Sequence, residues 1–396
     1  MQAVPLGDLL NQRFWIVLVV AFAVSLGATP LMRRLALATG ALDRPNRRSV
    51  HTQPVPYLGG LAIGLAVILS LVAGGHAQDP LFRGFIAGGV LILLVGLIDD
   101  LFRMPAWLKL LCQVGVALVT VTWGGLRITY LKDPFGADFW HLGWWGAPLT
   151  MVWLVAVMNV INLADGLDGL AAGITAIVSG TMLLGAIQSH QEPVAVMGAA
   201  ALMGATLGFL PYNFPPAKIF MGDAGALFLG FTLATTAVQG MAKGAAAVAL
   251  AVPTLALGVP ILDTAFAIVR RARRHQSIGT ADRDHLHHRL LAMGLSQREA
   301  VLLLYMVTGW LGVGAIAISE ATLWVGFFIF AFLAISLVYA ARTFGLLETT
   351  DRKAAGAGQA SDPSGTRAET APRGPAPVGK PAGTRAGVPP HHQAGL

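Results

Sequence analysis

The stretch from Asn159 to Gly169 is an unusually polar run at the end of an apolar segment long enough to cross a bilayer. It reads Asn-Val-Ile-Asn-Leu-Ala-Asp-Gly-Leu-Asp-Gly, which places two amides, two acids and two glycines within eleven residues. Ionisable side chains at membrane depth are costly and usually mark a functional site. Asp99-Asp100 ends a second apolar run, and Gly222-Asp223-Ala224-Gly225 begins a third. The pattern indicates a site built from the ends of membrane helices.

Composition supports a membrane protein. Of the 396 residues, 55% are hydrophobic and only 12% are charged, whereas soluble domains carry about 25% charged residues. Because a membrane helix needs about 20 apolar residues, we expect an all-α, polytopic integral membrane protein. Its eleven predicted spans are 14–32, 57–75, 84–100, 106–124, 146–164, 169–187, 194–212, 223–241, 245–268, 301–319 and 321–341.

The basic residues of the loops predict the orientation. With the N-terminus outside, fifteen Lys and Arg fall in cytoplasmic loops and five in external ones, as the positive-inside rule requires. The C-terminus is then cytoplasmic. We therefore predict a multi-span domain over residues 1–346, and a disordered cytoplasmic tail rich in Gly, Pro and Ala over residues 347–396.

This topology places six acids at or near the cytoplasmic face: Asp99, Asp100, Asp165, Asp168, Asp223 and Asp263. Asp168 and Asp223 have an alternative role as helix caps, since aspartate stabilises helix N-termini. That role does not suit Asp99-Asp100, which end a helix, where a carboxylate meets the negative end of the dipole. The pair requires a compensating cation, either a metal or a basic residue.

Acids and amides at one membrane face suggest a divalent cation and a phosphorylated substrate. Mg²⁺ takes one or two carboxylates and shares substrate phosphates. Asp223 between glycines suits that role, and Asn162 offers a carbonyl oxygen. Arg270 and Arg271 open a basic cluster that suits phosphate, with an anchor for anionic lipid as the alternative.

A histidine-rich run follows at Asp282 to Leu290, with His285, His287 and His288 within four residues. Structural zinc is one interpretation, but no cysteine lies nearby to complete a tetrahedral site. A loop that binds a sugar or its phosphate is favoured.

Five segments together resemble the polyprenyl-phosphate N-acetylhexosamine-1-phosphate transferases, in the order of that family. They are Arg47–Gly60, Asp99-Asp100 with Lys109, Asn159–Gly169, Asn213–Gly225 and Asp282–Leu290, and the resemblance spans about residues 14–341. The His-Leu-His-His form is similar to the branch that uses UDP-N-acetylglucosamine to start teichoic acid, O-antigen or related polymers. Tyr57 is a departure, since many relatives carry Arg there.

The resemblance implies that polyprenyl (undecaprenyl) phosphate attacks the β-phosphorus of UDP-N-acetylglucosamine and that UMP leaves. The reaction would occur at the cytoplasmic face of the inner (plasma) membrane. Asp223 and Asn162 would coordinate Mg²⁺, with Mn²⁺ as an alternative. Asp99 and Asp100 would orient or deprotonate the lipid phosphate, so the choice between base and positioner stays open.

The remaining implied roles concern substrate. Phosphates would be held by Lys109, Arg270 and Arg271. Phe220 would stack on uracil, and Asp168 and Asn213 would hydrogen-bond the uridine. The expected catalytic set is Asp99, Asp100, Lys109 and Asp165, and the substrate-binding set also includes Asn159, His51, His285, His287 and His288.

Two other functions stay open at this point. One is phospho-N-acetylmuramoyl-pentapeptide transfer in peptidoglycan synthesis. The other is a cation-coupled transporter, which also uses intramembrane acids, although here the acids gather at one face and no repeated halves are evident. The expected partners are the two substrates and the bilayer, with no nucleic acid, and a homodimer is an open alternative.

Overall fold

The computed structural model describes residues 11–44, 53–76, 80–132, 139–188, 193–240, 252–273, 286–321 and 323–343. These residues form mainly helices: α1 Gln12–Thr39, α2 Gly59–Ala73, α3 Pro80–Phe102, α4 Ala106–Thr122, α5 Gly146–Ala164, α6 Leu170–Gln188, α7 Pro193–Asn213, α8 Gly222–Gln239, α9 Gly258–Arg273, α10 Leu286–Ala292, α11 Gln297–Glu320 and α12 Leu323–Thr343. The tail predicted over 347–396 lies outside the described residues, so that boundary stays a prediction.

Two short antiparallel strand pairs connect the helices. β1 (Leu42–Asp43) pairs with β2 (Val55–Pro56) between α1 and α2. β3 (Tyr130–Lys132) pairs with β4 (Phe139–His141) between α4 and α5, where a turn of 3₁₀-helix over Gly143–Trp145 leads into α5. The spans were predicted without these strands, since stretches of two or three residues are too short to show an alternating pattern.

Six helices of the described part are long and apolar enough to cross a membrane. They cover Gln12–Thr39, Leu81–Phe102, Gly143–Ala164, Leu170–Gln188, Pro193–Asn213 and Gln297–Ile318. Gly59–Ala73, Ala106–Thr122 and Trp324–Ser336 are shorter apolar helices. The protein is therefore a mostly helical, polytopic membrane protein, as predicted.

The predicted spans coincide with helices, and the differences are at the ends. α5 has the predicted bounds of 146–164, whereas α1 continues to Thr39, seven residues past the predicted end, with Pro30 inside it. Part of the predicted span 245–268 lies outside the described residues, and α9 then runs on to Arg273.

Helix α8 forms the centre of the bundle. It packs against α2, α3, α5, α6 and α7, and every residue from Ala224 to Gln239 is buried. Because protein rather than lipid surrounds it, α8 can carry polar groups such as Thr235, whose hydroxyl donates to the carbonyl of Phe231 at 2.8 Å. The N-terminal end of α8, which bears Asp223, therefore lies where the ends of α3, α4 and α5 meet.

Candidate active site

Four side chains from four helices form a hydrogen-bonded cluster, named the lysine cluster: Asp99, Lys109, Asn162 and Asp223. The Lys109 ammonium lies 2.8 Å from Asp99 Oδ2 and 3.0 Å from Asp223 Oδ1. It also donates to Asn162 Oδ1 at 3.0 Å, and the Asn162 amide donates to Asp223. Lys109 and Asp99 are both largely buried, so these charge-assisted bonds are shielded from water.

Asp100 caps the central helix from a neighbouring one. Its carboxylate accepts the backbone N–H groups of Asp223 at 2.8 Å and Ala224 at 3.1 Å. Gly222 permits this approach, because its φ is +69° and a Cβ there would overlap the Asp100 carboxylate. The cation predicted for the Asp99-Asp100 pair is Lys109 in the case of Asp99. Asp100 instead meets the N-terminus of α8, which was not predicted.

Asp165 follows the last residue of α5 and faces the same acids. Burial, with the charges of Asp223, Asp100 and Asp168, raises the pKa of Asp165 to about 8. Burial is the main cause, because it disfavours the charged form of a carboxyl, and the negative charges of the three neighbouring acids add to it. Of the four acids Asp99, Asp100, Asp165 and Asp223, the Lys109 ammonium contacts Asp99 and Asp223.

The donor chemistry of this region fits Mg²⁺. Carboxylate and amide oxygens are the hard ligands that Mg²⁺ prefers, and the excess of acid would be balanced by a divalent cation. Among the described residues, no group of three or more His, Cys, Asp or Glu could by itself hold a metal ion. A protein cage of several ligands is not required, because Mg²⁺ keeps waters and takes substrate phosphates. Asp223 and Asn162 would be its protein ligands.

Two loops lie beside the lysine cluster. One is the acid loop, residues 165–169, and the other is residues 214–221, named the glycine loop because it leads into Gly222. Asp168 Oδ2 accepts the backbone N–H of Ala217 at 2.8 Å and so ties the loops together. Asn213 does the same: its Oδ1 accepts from Gly169 N at 3.1 Å, and its Nδ2 donates to Ile219 O at 3.0 Å. Asn213 is buried. Its side chain was predicted to bind uridine, and in the structure both its oxygen and its nitrogen form hydrogen bonds with the backbone of the two loops.

The glycine loop is also joined to the segment before α2. Phe220 N donates to Pro56 O at 2.8 Å, and Gly59 N donates to Phe220 O at 2.9 Å. Two of the five sequence segments therefore meet at Phe220, whose side chain is half-buried. Tyr57 lies in the same segment, where burial and the Asp100 charge raise the pKa of its phenol. It supplies no positive charge, and His51 lies outside the described residues.

Asn159 lies one turn deeper along α5 than Asn162. Its Nδ2 donates to Gln113 Oε1 at 2.6 Å and to Val155 O at 2.8 Å. It therefore joins α4 to α5 and is outside the lysine cluster. Sequence reasoning missed Gln113, which is fully buried. Its signal was a lone glutamine four residues after Lys109, on the same helix face.

The arginine and histidine segments are described in part. Arg271, near the end of α9, is buried, and His288 in α10 is half-buried. Asp263, which was not assigned to the site, accepts the N–H of Leu286 at 2.9 Å and so links α9 to the start of α10. His285 and the side chains of Arg270 and His287 lie outside the described residues, so the predicted sugar-binding loop stays a prediction.

Comparison with known proteins identifies the family of the chain. The sequence model of glycosyl transferase family 4 matches residues 82–241. The chain is 40% identical to a probable undecaprenyl-phosphate N-acetylglucosaminyl 1-phosphate transferase of Bacillus subtilis (strain 168), over 83% of this chain and 93% of the relative. It is 39% identical to a decaprenyl-phosphate N-acetylglucosaminephosphotransferase of Mycolicibacterium smegmatis, over 73% and 78%. A Yersinia pestis undecaprenyl-phosphate alpha-N-acetylglucosaminyl 1-phosphate transferase is 29% identical over 72% and 79%.

A polytopic helical bundle with acids and a lysine at the ends of its apolar helices defines a membrane protein with a polar, charged site. The chain belongs to glycosyl transferase family 4, which confirms the resemblance to the polyprenyl-phosphate N-acetylhexosamine-1-phosphate transferases.

Proposed function

We propose that the protein transfers N-acetylglucosamine-1-phosphate from UDP-N-acetylglucosamine to polyprenyl phosphate. The lysine cluster carries this proposal, because it places acids and one ammonium at the ends of apolar helices, where a lipid phosphate can reach them. The printed names of the relatives, including those from Bacillus subtilis and Mycolicibacterium smegmatis, support the substrates.

The bonds balance without a covalent enzyme intermediate. An oxygen of the lipid phosphate forms a bond to the β-phosphorus, and the bond from that phosphorus to the bridging oxygen breaks. The bridging oxygen leaves on UMP with the electron pair. Phosphoryl transfer of this kind depends mainly on alignment and charge neutralisation.

The lysine cluster supplies both. Asp223 and Asn162 would hold Mg²⁺, which when bound neutralises charge on the pyrophosphate. Lys109 adds a second positive charge, and its three contacts show that its ammonium is directed into the cluster. Arg270 and Arg271 would contribute further phosphate contacts.

Asp99 and Asp100 act as positioners in this proposal. Asp99 accepts the N–H of Met104 on one oxygen and contacts Lys109 with the other. Both oxygens of Asp100 accept backbone N–H groups of α8. A phosphate monoester has its second pKa near 6, so the lipid phosphate is mostly ionised without a base.

The loops would bind the nucleotide and the sugar. Asp168 and Asn213 link the acid loop to the glycine loop through their hydrogen bonds. Phe220 belongs to the glycine loop and would stack on uracil. His285, His287 and His288 would contact the sugar or its phosphate, because neutral imidazoles can donate to hydroxyl and phosphate oxygens.

The proposed topology has eleven spans, an external N-terminus and a cytoplasmic active site in the inner membrane. It is supported by the excess of basic residues in the loops on the side of the acids. Membrane-impermeant UDP-N-acetylglucosamine should then be used by inside-out vesicles and not by sealed right-side-out ones. The opposite preference would reverse the orientation.

The test of function uses purified full-length protein with radiolabelled donor, polyprenyl phosphate and Mg²⁺. Labelled lipid should form with UDP-N-acetylglucosamine, and chelation should abolish it. Asp223→Ala should remove the activity while Asp138→Ala, in a loop predicted to be external, keeps it. Preference for UDP-N-acetylmuramoyl-pentapeptide would favour the peptidoglycan alternative. Absence of lipid product with either donor would refute the proposal.

A further inference from the structure

Helix α11 reaches both loops of the site through two side chains. The Tyr305 hydroxyl donates to the carbonyl of Gly169 in the acid loop. Arg298 Nε donates to the carbonyl of Pro215 in the glycine loop at 2.9 Å, and its guanidinium lies 5.7 Å from the centre of the Phe214 ring. The two side chains are about two helical turns apart and therefore share one face of α11.

The peptide groups of Gly169 are held on both sides. Its N–H donates to Asn213 Oδ1 at 3.1 Å, and its carbonyl accepts from Gly173 N at 2.9 Å as well as from Tyr305. The preceding residue, Asp168, is bound to Ala217 N at 2.8 Å. Asp168 is thus followed directly by a residue, Gly169, whose N–H is bound by Asn213 and whose carbonyl is bound by Tyr305.

Gly173 makes room for this contact. It lies in the first turn of α6, and a Cβ at this position would overlap the phenol ring and hydroxyl of Tyr305. The ring occupies the space that a Cβ of residue 173 would take, and its hydroxyl reaches Gly169. The approach of α11 to α6 thus ends in one directed hydrogen bond to the acid loop.

We propose that Tyr305, supported by Arg298, is a positioning residue that holds the acid loop so that Asp168 can meet the nucleotide. This rests on the function proposed above. Both residues lie outside the stretch 82–241 that the family model matches. Small displacements matter at such a site, because a misplacement of about 1 Å can cost about 100-fold in rate.

Tyr305→Phe tests the proposal, because it keeps the ring against Gly173 and removes only the hydroxyl. One hydrogen bond corresponds to about a fivefold effect, so we expect the KM for UDP-N-acetylglucosamine to rise about fivefold. The KM for polyprenyl phosphate should stay within about twofold, since the proposed function assigns this loop to the nucleotide and not to the lipid. Tyr130→Phe, the same change on β3, is the matched control and should leave both constants unaltered.

A second measurement needs no turnover. Hydrogen–deuterium exchange of peptides covering residues 165–173 should be faster in Tyr305→Phe than in wild type, and unchanged in Tyr130→Phe. Arg298→Gln should speed exchange in residues 214–221. If wild-type protein transfers no sugar phosphate, the proposed function fails while the exchange data still test the positioning.

Two results would overturn the inference. One is unchanged exchange in the acid loop of Tyr305→Phe. The other is an unchanged donor KM with a lower kcat and a lower unfolding temperature, because that combination is the signature of a residue that only packs.

Discussion

At the scale of single residues, Lys109 organises the site, because its ammonium contacts oxygens from three other helices. The need for compensation of Asp99 and Asp100 could be predicted from their place at a helix end. Whether a metal, Lys109 or another group provides it could not, because that depends on how the helices pack. The packing of α3 against α4 brings Lys109 to Asp99, and the packing of α3 against α8 brings the N-terminus of α8 to Asp100.

Lys109→Gln should therefore damage both stability and activity. It leaves the buried Asp99 and the partly exposed Asp223 without their counter-charge, and breaking a buried ion pair such as Asp99–Lys109 costs about 3–5 kcal/mol. We expect a clearly lower unfolding temperature in detergent and a transfer rate reduced at least about 100-fold. The double variant Lys109→Gln with Asp99→Asn should recover much of the stability and none of the activity. Wild-type stability of Lys109→Gln would contradict the described contacts.

Asp165 gives a pH dependence of known sign. Its pKa of about 8 in the folded protein lies far above its usual value, so the folded state holds this proton more tightly than the unfolded state does. Its contribution to stability is complete at acidic pH and is lost as pH rises towards 8. Without divalent cations, the unfolding temperature of wild type should therefore fall between pH 5 and pH 8 more than that of Asp165→Asn. Parallel curves for the two proteins would show that Asp165 is ordinarily ionised.

At the scale of elements, the positions of the long helices were predictable because each coincides with a long apolar run, whereas the short α10 was not predicted. α5 and α6 differ from the predicted spans by at most one residue at either end. The role of α8 was not predictable: its threonines and glutamine weaken the membrane signal, yet it is buried because five other helices surround it. The burial of α8 depends on which helices pack around it, and the hydropathy of the sequence does not show this.

Gly222 tests how α8 begins. Alanine there would face a φ of +69° and overlap the Asp100 carboxylate, which would move Asp100 away from the N–H groups of Asp223 and Ala224. We expect Gly222→Ala to insert into membranes and to lose at least about tenfold of its transfer rate. Gly27→Ala is the control, because a Cβ in that part of α1 meets nothing within 4 Å. Equal transfer rates in Gly222→Ala and Gly27→Ala would contradict the idea that Asp100 holds Asp223 in position.

At the scale of the whole molecule, the alternation of helix direction explains why the polar segments meet. The C-terminal ends of α3, α5 and α7 and the N-terminal ends of α4, α6 and α8 carry the site residues, so successive helices return the chain to one end of the bundle. Sequence reasoning could place the acids at one face by counting spans. It could not show that Asp168 and Asn213 bind backbone of neighbouring loops, since those contacts depend on loop conformation.

The central claim is that the lysine cluster catalyses transfer of a sugar phosphate to a lipid phosphate. Its most direct test uses UDP-N-acetylglucosamine labelled with ³²P at the β-phosphorus, with polyprenyl phosphate, Mg²⁺ and purified wild type or Asp223→Asn in parallel. We predict that wild type moves the β-label into the lipid fraction and releases unlabelled UMP. Asp223→Asn, folded to the same extent, should form at least about 100-fold less labelled lipid. β-label that stays with the released nucleotide, or equal labelling of lipid by both proteins, would contradict the account.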